Sequence, residues 1–315
     1  MADTFRVTSH PERGRCAIAV NALRPGDLIL AEPTLAFAIN DALVRKRCAV
    51  TGCDTNDITC AECKDEEHYC DGVAEGGETR LARLVAAARA KDREGLAGLV
   101  SHIDDVDDET LAFATYAAAL ARQWWPLAAK CSTERALEDV LRCHCNAFAV
   151  LLPTPALAHH KRPAMAGLGT RHGLAKEIGL AICPKAAVFN HSCAANAFAR
   201  VRLRPGRAPC VEVRAIAPIA VDEEICISYA DSVGDVTARR KVLRESFFFD
   251  CACERCVAEE TTPTPSFVIE GDAAAKATAL EASSDPTARL VYAPLARCLE
   301  SESKGEPLSP HVGGI

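Results

Sequence analysis

The chain has 315 residues, 49% of them hydrophobic and 25% charged, enough to bury a sizeable core in one large domain or two ordinary ones. A formal net charge of −7 argues against a general nucleic-acid binder, whose phosphate contacts need clustered Lys and Arg, and fits a basic partner better. The start, "MADTFRVTSHPERGRC", has no apolar signal core and no run reaches membrane-spanning length. The 17 cysteines are therefore expected to be reduced, and to be free, catalytic or metal-bound rather than paired.

Taken in chain order, residues 3–39 read as strands and turns. "RCAIAVNA" and "DLILAE" are separated by the proline-glycine turn "LRPGD". A cysteine-rich patch follows at 48–70. From Glu78 to Phe148 the period becomes helical. Leu81, Leu84, Val85 and Ala88 share one face, as do Leu137, Val140, Leu141, His144 and Phe148. "IDDVDDET" (103–110) reads as a solvated loop leading into a helix N-terminus.

Proline and glycine break the chain between Pro153 and Gly173, and strand character returns from Ile178. "ARVRLR" and "CVEVRA" alternate on either side of "PGRAP", the pattern of a hairpin. "EEICISYAD" is a further strand and "VTARRKVLRESF" a short helix. "EETTPTPS" reads as a linker before a weakly helical tail. The order predicts an α+β domain interrupted by a helical insertion.

Cys251, Cys253 and Cys256 form Cys-x-Cys-x-x-Cys, close enough for their thiolates to reach one ion. A tetrahedral zinc site asks for a fourth sulfur. On spacing alone Cys193, in "AVFNHSC", or another residue such as Cys226 would serve, and three uncoordinated thiols are the plain alternative. A completed site would be structural, because four protein ligands leave no position open for a substrate. His144, beside Cys143 and Cys145, is not expected to be a metal ligand, since a helix points neighbouring residues in different directions.

Five fragments occur in an order that carries a resemblance: "ERGRCAIAVNALRPGDLIL", an inserted cysteine cluster with "CNAFAV" after it, "EIGLAICPKAAVFNHSC", "EEICISYAD" and "FDCACERC". Over residues 5–256 the chain resembles the SET-domain protein lysine methyltransferases, and within them the SET-and-MYND family with a post-SET zinc loop. The resemblance implies a fold of short antiparallel β-sheets with a pseudoknot, interrupted by a zinc-finger-like and helical insertion. It divides the chain into an N-terminal SET part (1–47), a degenerate MYND-like cluster (48–77), the helical insertion (78–148), the SET core (149–246), the post-SET loop (247–258) and a linker with a short helical tail (259–315).

The same resemblance implies the site. S-adenosyl-L-methionine would be held by Gly14, Arg15, Asn146, Asn190, His191, Tyr229 and Phe249. Tyr229 would be the catalytic tyrosine, and Phe148 and Phe247 would wall a lysine channel. Cys193 would join Cys251, Cys253 and Cys256 on the post-SET zinc. In the inserted cluster Cys48, Cys53, Cys60, Cys63 and Cys70, with His68 nearby, match only the first part of a two-zinc finger. At most one zinc is expected there.

The family's first cofactor loop reads Gly-x-Gly, whereas here it is Gly14-Arg15-Cys16, which puts cofactor affinity in question. Where many relatives carry tyrosine this chain has Phe247, and the lost hydroxyl implies di- or trimethylation over monomethylation. The expected partner is a lysine-containing protein, a histone tail among the candidates, with no nucleic acid and no membrane. A monomer in the cytoplasm, the nucleus or both is expected. The competing reading is a catalytically weak SET protein acting as a zinc-stabilised binding module.

Overall fold

The computed structural model describes residues 4–40, 76–92, 95–124, 131–153, 175–204, 207–230, 235–261 and 272–283, with isolated positions at 43, 289, 293, 296, 297 and 300. Ten strands and six helices occur among them. The strands are β1 (Phe5–His10), β2 (Gly14–Ala19), β3 (Leu28–Pro33), β4 (Ala36–Ile39), β5 (Ala147–Pro153), β6 (Ala175–Ile182), β7 (Asn190–His191), β8 (Ala197–Arg204), β9 (Arg207–Ala215) and β10 (Cys226–Ile227). The helices are α1 (Gly76–Lys91), α2 (Asp108–Trp124), α3 (Thr133–Asn146), α4 (Val236–Phe247), α5 (Glu254–Thr261) and α6 (Ala273–Glu281).

The strands make four small sheets, as the α+β reading anticipated. β1 and β2 form an antiparallel hairpin; β3-β9-β8 and β4-β6-β5 are antiparallel three-stranded sheets. The fourth is a parallel pair, β7 with β10, two residues long on each side. It joins segments far apart in sequence and positions the site described below.

Alternation explains the β8–β9 hairpin. Val201, Val211 and Val213 are buried in the main core, while Arg200, Arg202 and Arg214 lie on the opposite face around the Glu212 carboxylate. Gly179 at the centre of β6 is required by close approach, because a Cβ there would stand 2.5 Å from the Ala38 carbonyl oxygen.

The helical insertion packs its own core of Leu81, Leu84, Val85, Ala88, Val140 and Leu141 against Ala36, Ala38, Leu180 and Ile182 of the β4-β6-β5 sheet. Caps set the helix starts. The Ser132 side chain accepts from Arg135 N–H, Asp235 from Ala238 N–H, and Asp272 from Ala275 N–H. Asp107 likewise accepts from Thr110 N–H as the acidic loop enters α2.

Two local expectations are corrected. The helical pattern does not reach Phe148: α3 ends at Asn146, and Phe148 pairs with Ala181 as the second residue of β5. An apolar run fits either period, and here the long partner strand β6 takes it. "EEICISYAD" forms only the two-residue β10. The residues around it are satisfied elsewhere: Ile225 N–H donates to Ala17, Ser192 N–H to Ile227, and Tyr229 N–H to a histidine ring.

No helix among the described residues is long and apolar enough to cross a membrane.

Candidate functional site

The site grows from residues 189–193. A single 3-10 turn, Ala186–Val188, delivers Phe189, whose ring is buried against Phe5 at 5.0 Å between centroids. This leaves the Phe189 carbonyl facing Tyr229, and the phenol hydroxyl donates to it at 2.6 Å. Burial pushes the Tyr229 phenol above its ordinary range, so the hydroxyl stays protonated at neutral pH.

Asn190 faces the first loop. Its Nδ2 donates to the Arg15 carbonyl at 2.9 Å and to Glu224 Oε1 at 3.0 Å, and lies 3.3 Å from Cys16 Sγ. Gly14 opens β2 at φ +66°, a conformation glycine adopts without the penalty of a side chain. Cys16, in the place of the second glycine, is 2% exposed, and its thiol lies between Asn190 Nδ2 at 3.3 Å and the Gly14 carbonyl oxygen at 3.8 Å. Arg13 closes the edge: Nη1 pairs with Glu224 at 2.5 Å and Nη2 reaches the His191 carbonyl at 3.4 Å.

His191 is buried, and both of its ring nitrogens are engaged. Nδ1 accepts from Tyr229 N–H at 2.9 Å and Nε2 lies 3.2 Å from Cys193 Sγ. Burial lowers its pKa to about 4, so the ring is neutral at physiological pH. Tyr229 sits in an aromatic nest, with Phe247 at 4.9 Å, His191 at 5.4 Å and Phe249 edge-on at 6.4 Å. Phe248 between these two phenylalanines takes φ +60° and packs on His102 at 5.3 Å, which lets its neighbours face the tyrosine.

Two residues beyond His191 stands Cys193, and the sulfurs of Cys193, Cys251, Cys253 and Cys256 all lie within 4.8 Å of one another. Cys193 is 3.5 Å from Cys256 and 4.0 Å from Cys251. Tetrahedral coordination at a metal–sulfur distance of 2.3 Å separates ligand sulfurs by about 3.8 Å, so this donor set fits one ion. Bonds to Cys251 and Cys253 push the Cys193 thiol up, while those from Cys193 and Cys251 hold Cys253 well below the thiol range. Four thiols crowded this way cannot all ionise without a cation between them. Arginines surround the group: Arg239 Nη2 is 3.5 Å from Cys256 Sγ, Arg255 donates to the Cys193 carbonyl and Arg240 to that of Cys251.

Gly14, Arg15, Asn190, His191, Tyr229, Phe247, Phe249 and the four cysteines therefore form one connected neighbourhood. Asn146 does not join it by any hydrogen bond among the described residues, its Nδ2 donating to the Val100 and Arg142 carbonyls. Phe148 packs on the same core as Tyr229 but makes no ring contact with it among the described residues. Cys48, Cys53, Cys60, Cys63, His68 and Cys70 lie outside the described residues. Sequence reasoning missed Arg13, Phe189, Glu224 and Arg239. Only the charge pattern of "PERG", "DEEI" and "TARRK" hinted at three of them.

A family model described as the SET domain matches residues 14–230, more than half of the chain. Among curated proteins, the N-lysine methyltransferase SMYD2-A of Danio rerio is 24% identical over 283 residues, covering 79% of this chain and 59% of that protein. The histone-lysine N-methyltransferase ASHR1 of Arabidopsis thaliana is also 24% identical, over 289 residues, covering 79% of this chain and 54% of that protein. The chain thus spans less than two thirds of the length of either relative. Among solved structures, the SET domain of LSMT bound to lysine and AdoHcy aligns with a TM-score of 0.44 at 10% identity, covering 95% of this chain and 72% of that one.

Proposed function

Because the chain belongs to the SET-domain family, we propose that it is an S-adenosylmethionine-dependent protein-lysine N-methyltransferase with a zinc ion in the four-cysteine centre. The observation that carries this reading is the placement of Tyr229, held at both ends by residues 189–191 and walled by Phe247 and Phe249 beside the cysteine centre.

The bound methyl donor would supply an electrophilic methyl group on a positively charged sulfur. For holding it, the chain offers the backbone of Gly14 and Arg15 and the ring of Phe249. It also offers Asn190 Oδ1, which has no hydrogen bond among the described residues once Nδ2 is spent on Arg15 and Glu224. The Cys16 thiol stands at this edge, against Asn190 Nδ2 and the Gly14 carbonyl, where the second glycine of the family's loop would leave open space. With both ring nitrogens committed, His191 would touch the donor through backbone groups alone.

Methyl transfer is an in-line displacement in which alignment and exclusion of water do most of the work, worth about 7–11 kcal/mol. The lysine must arrive neutral. The aromatic walls Tyr229 and Phe247, with Phe148 on the same core, would favour the neutral amine by desolvation, so no separate general base is required. The hydroxyl of Tyr229 gives its proton to Phe189, which leaves its lone pairs for the amine or for weak CH···O contacts from the methyl group. Zinc would tie the segment carrying Asn190 and His191 to the loop carrying Phe247 and Phe249. Four thiolates around it leave a double negative charge, which Arg239 and its neighbours offset.

The test is label transfer from the radioactive methyl donor to an array of lysine peptides that includes histone tails. Transfer to lysine, lost in Tyr229→Phe, is the expected result. A protein that captures peptides from the array but labels none of them would favour the binding-module reading instead.

A further inference from the structure

Among the described residues, His191 alone hydrogen-bonds both to the cysteine centre and to Tyr229. Geometry fixes its proton. A backbone N–H can only donate, so Nδ1, facing Tyr229 N–H at 2.9 Å, carries the lone pair. With Nδ1 accepting, the hydrogen that every imidazole keeps sits on Nε2, which lies 3.2 Å from Cys193 Sγ. Cys193 lies two residues along the same segment, whereas Tyr229 is 38 residues away and is bound to that segment a second time through the Phe189 carbonyl. His191 is 6% exposed, and its ring is packed between Phe249 at 5.9 Å and Tyr229 at 5.4 Å.

We propose that His191 is a positioning residue linking the metal centre to the tyrosine. Nε2–H supports the Cys193 thiolate and Nδ1 holds the Tyr229 backbone, so that filling the centre with zinc sets where Tyr229 stands. The metal then does more than staple the chain, because its occupancy is transmitted through one imidazole to the wall of the lysine channel. Partners that orient metal-bound ligands are commonly worth about 10- to 100-fold in metal affinity. The coupling rests on the methyltransferase reading only for the consequence at the substrate; its metal and tyrosine arms stand without it.

The experiment uses the full chain with zinc bound and tyrosine isotope-labelled at nitrogen. There are four tyrosines, and Tyr229→Phe identifies the Tyr229 amide resonance by removing it. Chelating the zinc is expected to move that resonance in the wild type. His191→Gln puts an N–H near the Nε2 position without the Nδ1 acceptor. It should hold zinc nearly as well as the wild type, lose the response of the resonance to zinc, and lower kcat with little change in KM. His191→Asn keeps an acceptor near Nδ1 but reaches no sulfur. It should lose zinc to a chromophoric chelator about 10- to 100-fold faster.

A wild-type resonance indifferent to zinc would overturn the proposal. So would a response equal in all three proteins, or both variants holding zinc as firmly as the wild type. If the resonance follows zinc as expected but no methyl transfer is found, the coupling stands and the enzymatic reading falls.

Discussion

The hydroxyl of Tyr229 donates to the backbone carbonyl of Phe189 at 2.6 Å, which fixes the phenol from the strand-like segment that also carries Asn190. Replacing the tyrosine by phenylalanine keeps the ring contacts with Phe247 and Phe249 and removes only this bond and the oxygen. The expected cost in stability is about 0.5–1.5 kcal/mol, read from denaturant unfolding. The rate of methyl transfer should fall much further than that change implies, by about 100-fold or more, as expected for an oxygen used at the reacting centre.

Removing one sulfur of the cysteine centre should remove the metal. Cys193→Ser leaves Cys251, Cys253 and Cys256 with a poor fourth ligand, and the zinc content of the purified protein should fall well below one per chain. Because Cys193 joins the 189–193 segment to the loop of Phe247 and Phe249, cleavage by a protease near residues 247–256 should accelerate in the variant. Metal analysis and limited proteolysis read the two effects separately.

Phe247 packs on Tyr229 with ring centroids 4.9 Å apart and planes tilted by 41°. Phe247→Tyr is expected to narrow the space available to a methylated amine and shift products toward monomethyl-lysine. Mass spectrometry of a methylated peptide checks this. A wild type yielding monomethyl product alone would contradict the expectation.

His144 on α3 offers a pH test remote from the site. It packs near Phe113 at 6.2 Å, and burial holds its pKa below the ordinary histidine value of 6.5. The unfolded chain therefore takes up a proton near pH 6.5 that the folded chain refuses. Stability from this group is complete above pH 6.5 and is lost as pH falls toward the lower folded pKa. Between pH 7.5 and 5.5 the melting temperature should drop more in the wild type than in His144→Leu.

Much of this architecture could be read from residue order. The hairpin of β8 and β9 followed from strict alternation, and "VTARRKVLRESF" ends within a residue of the observed α4 because Asp235 caps it and Phe248 takes a left-handed turn. The meeting of Cys193 with the downstream triplet followed from ligand number and the resemblance. The hydrogen bonds at its centre did not. That the His191 ring serves Tyr229 and Cys193 is set by two segments closing around it rather than by any local pattern, and it leaves the backbone of His191 for the expected cofactor contact. Arg13 and Glu224, 211 residues apart, pair across the loop for the same reason. Phe148 was assigned to a helical face because period alone cannot tell an apolar helix end from the start of a strand.

The account turns on whether this chain holds a methyl donor beside Asn190. Calorimetric titration of the zinc-loaded chain with S-adenosylmethionine tests that directly, with Asn190→Ala as the comparison and thermal melting to confirm that the variant is folded. Saturable binding by the wild type, weakened by about tenfold or more in the variant, is the expected result and corresponds to about 1.4 kcal/mol. A folded, zinc-loaded wild type that takes up no S-adenosylmethionine would contradict it.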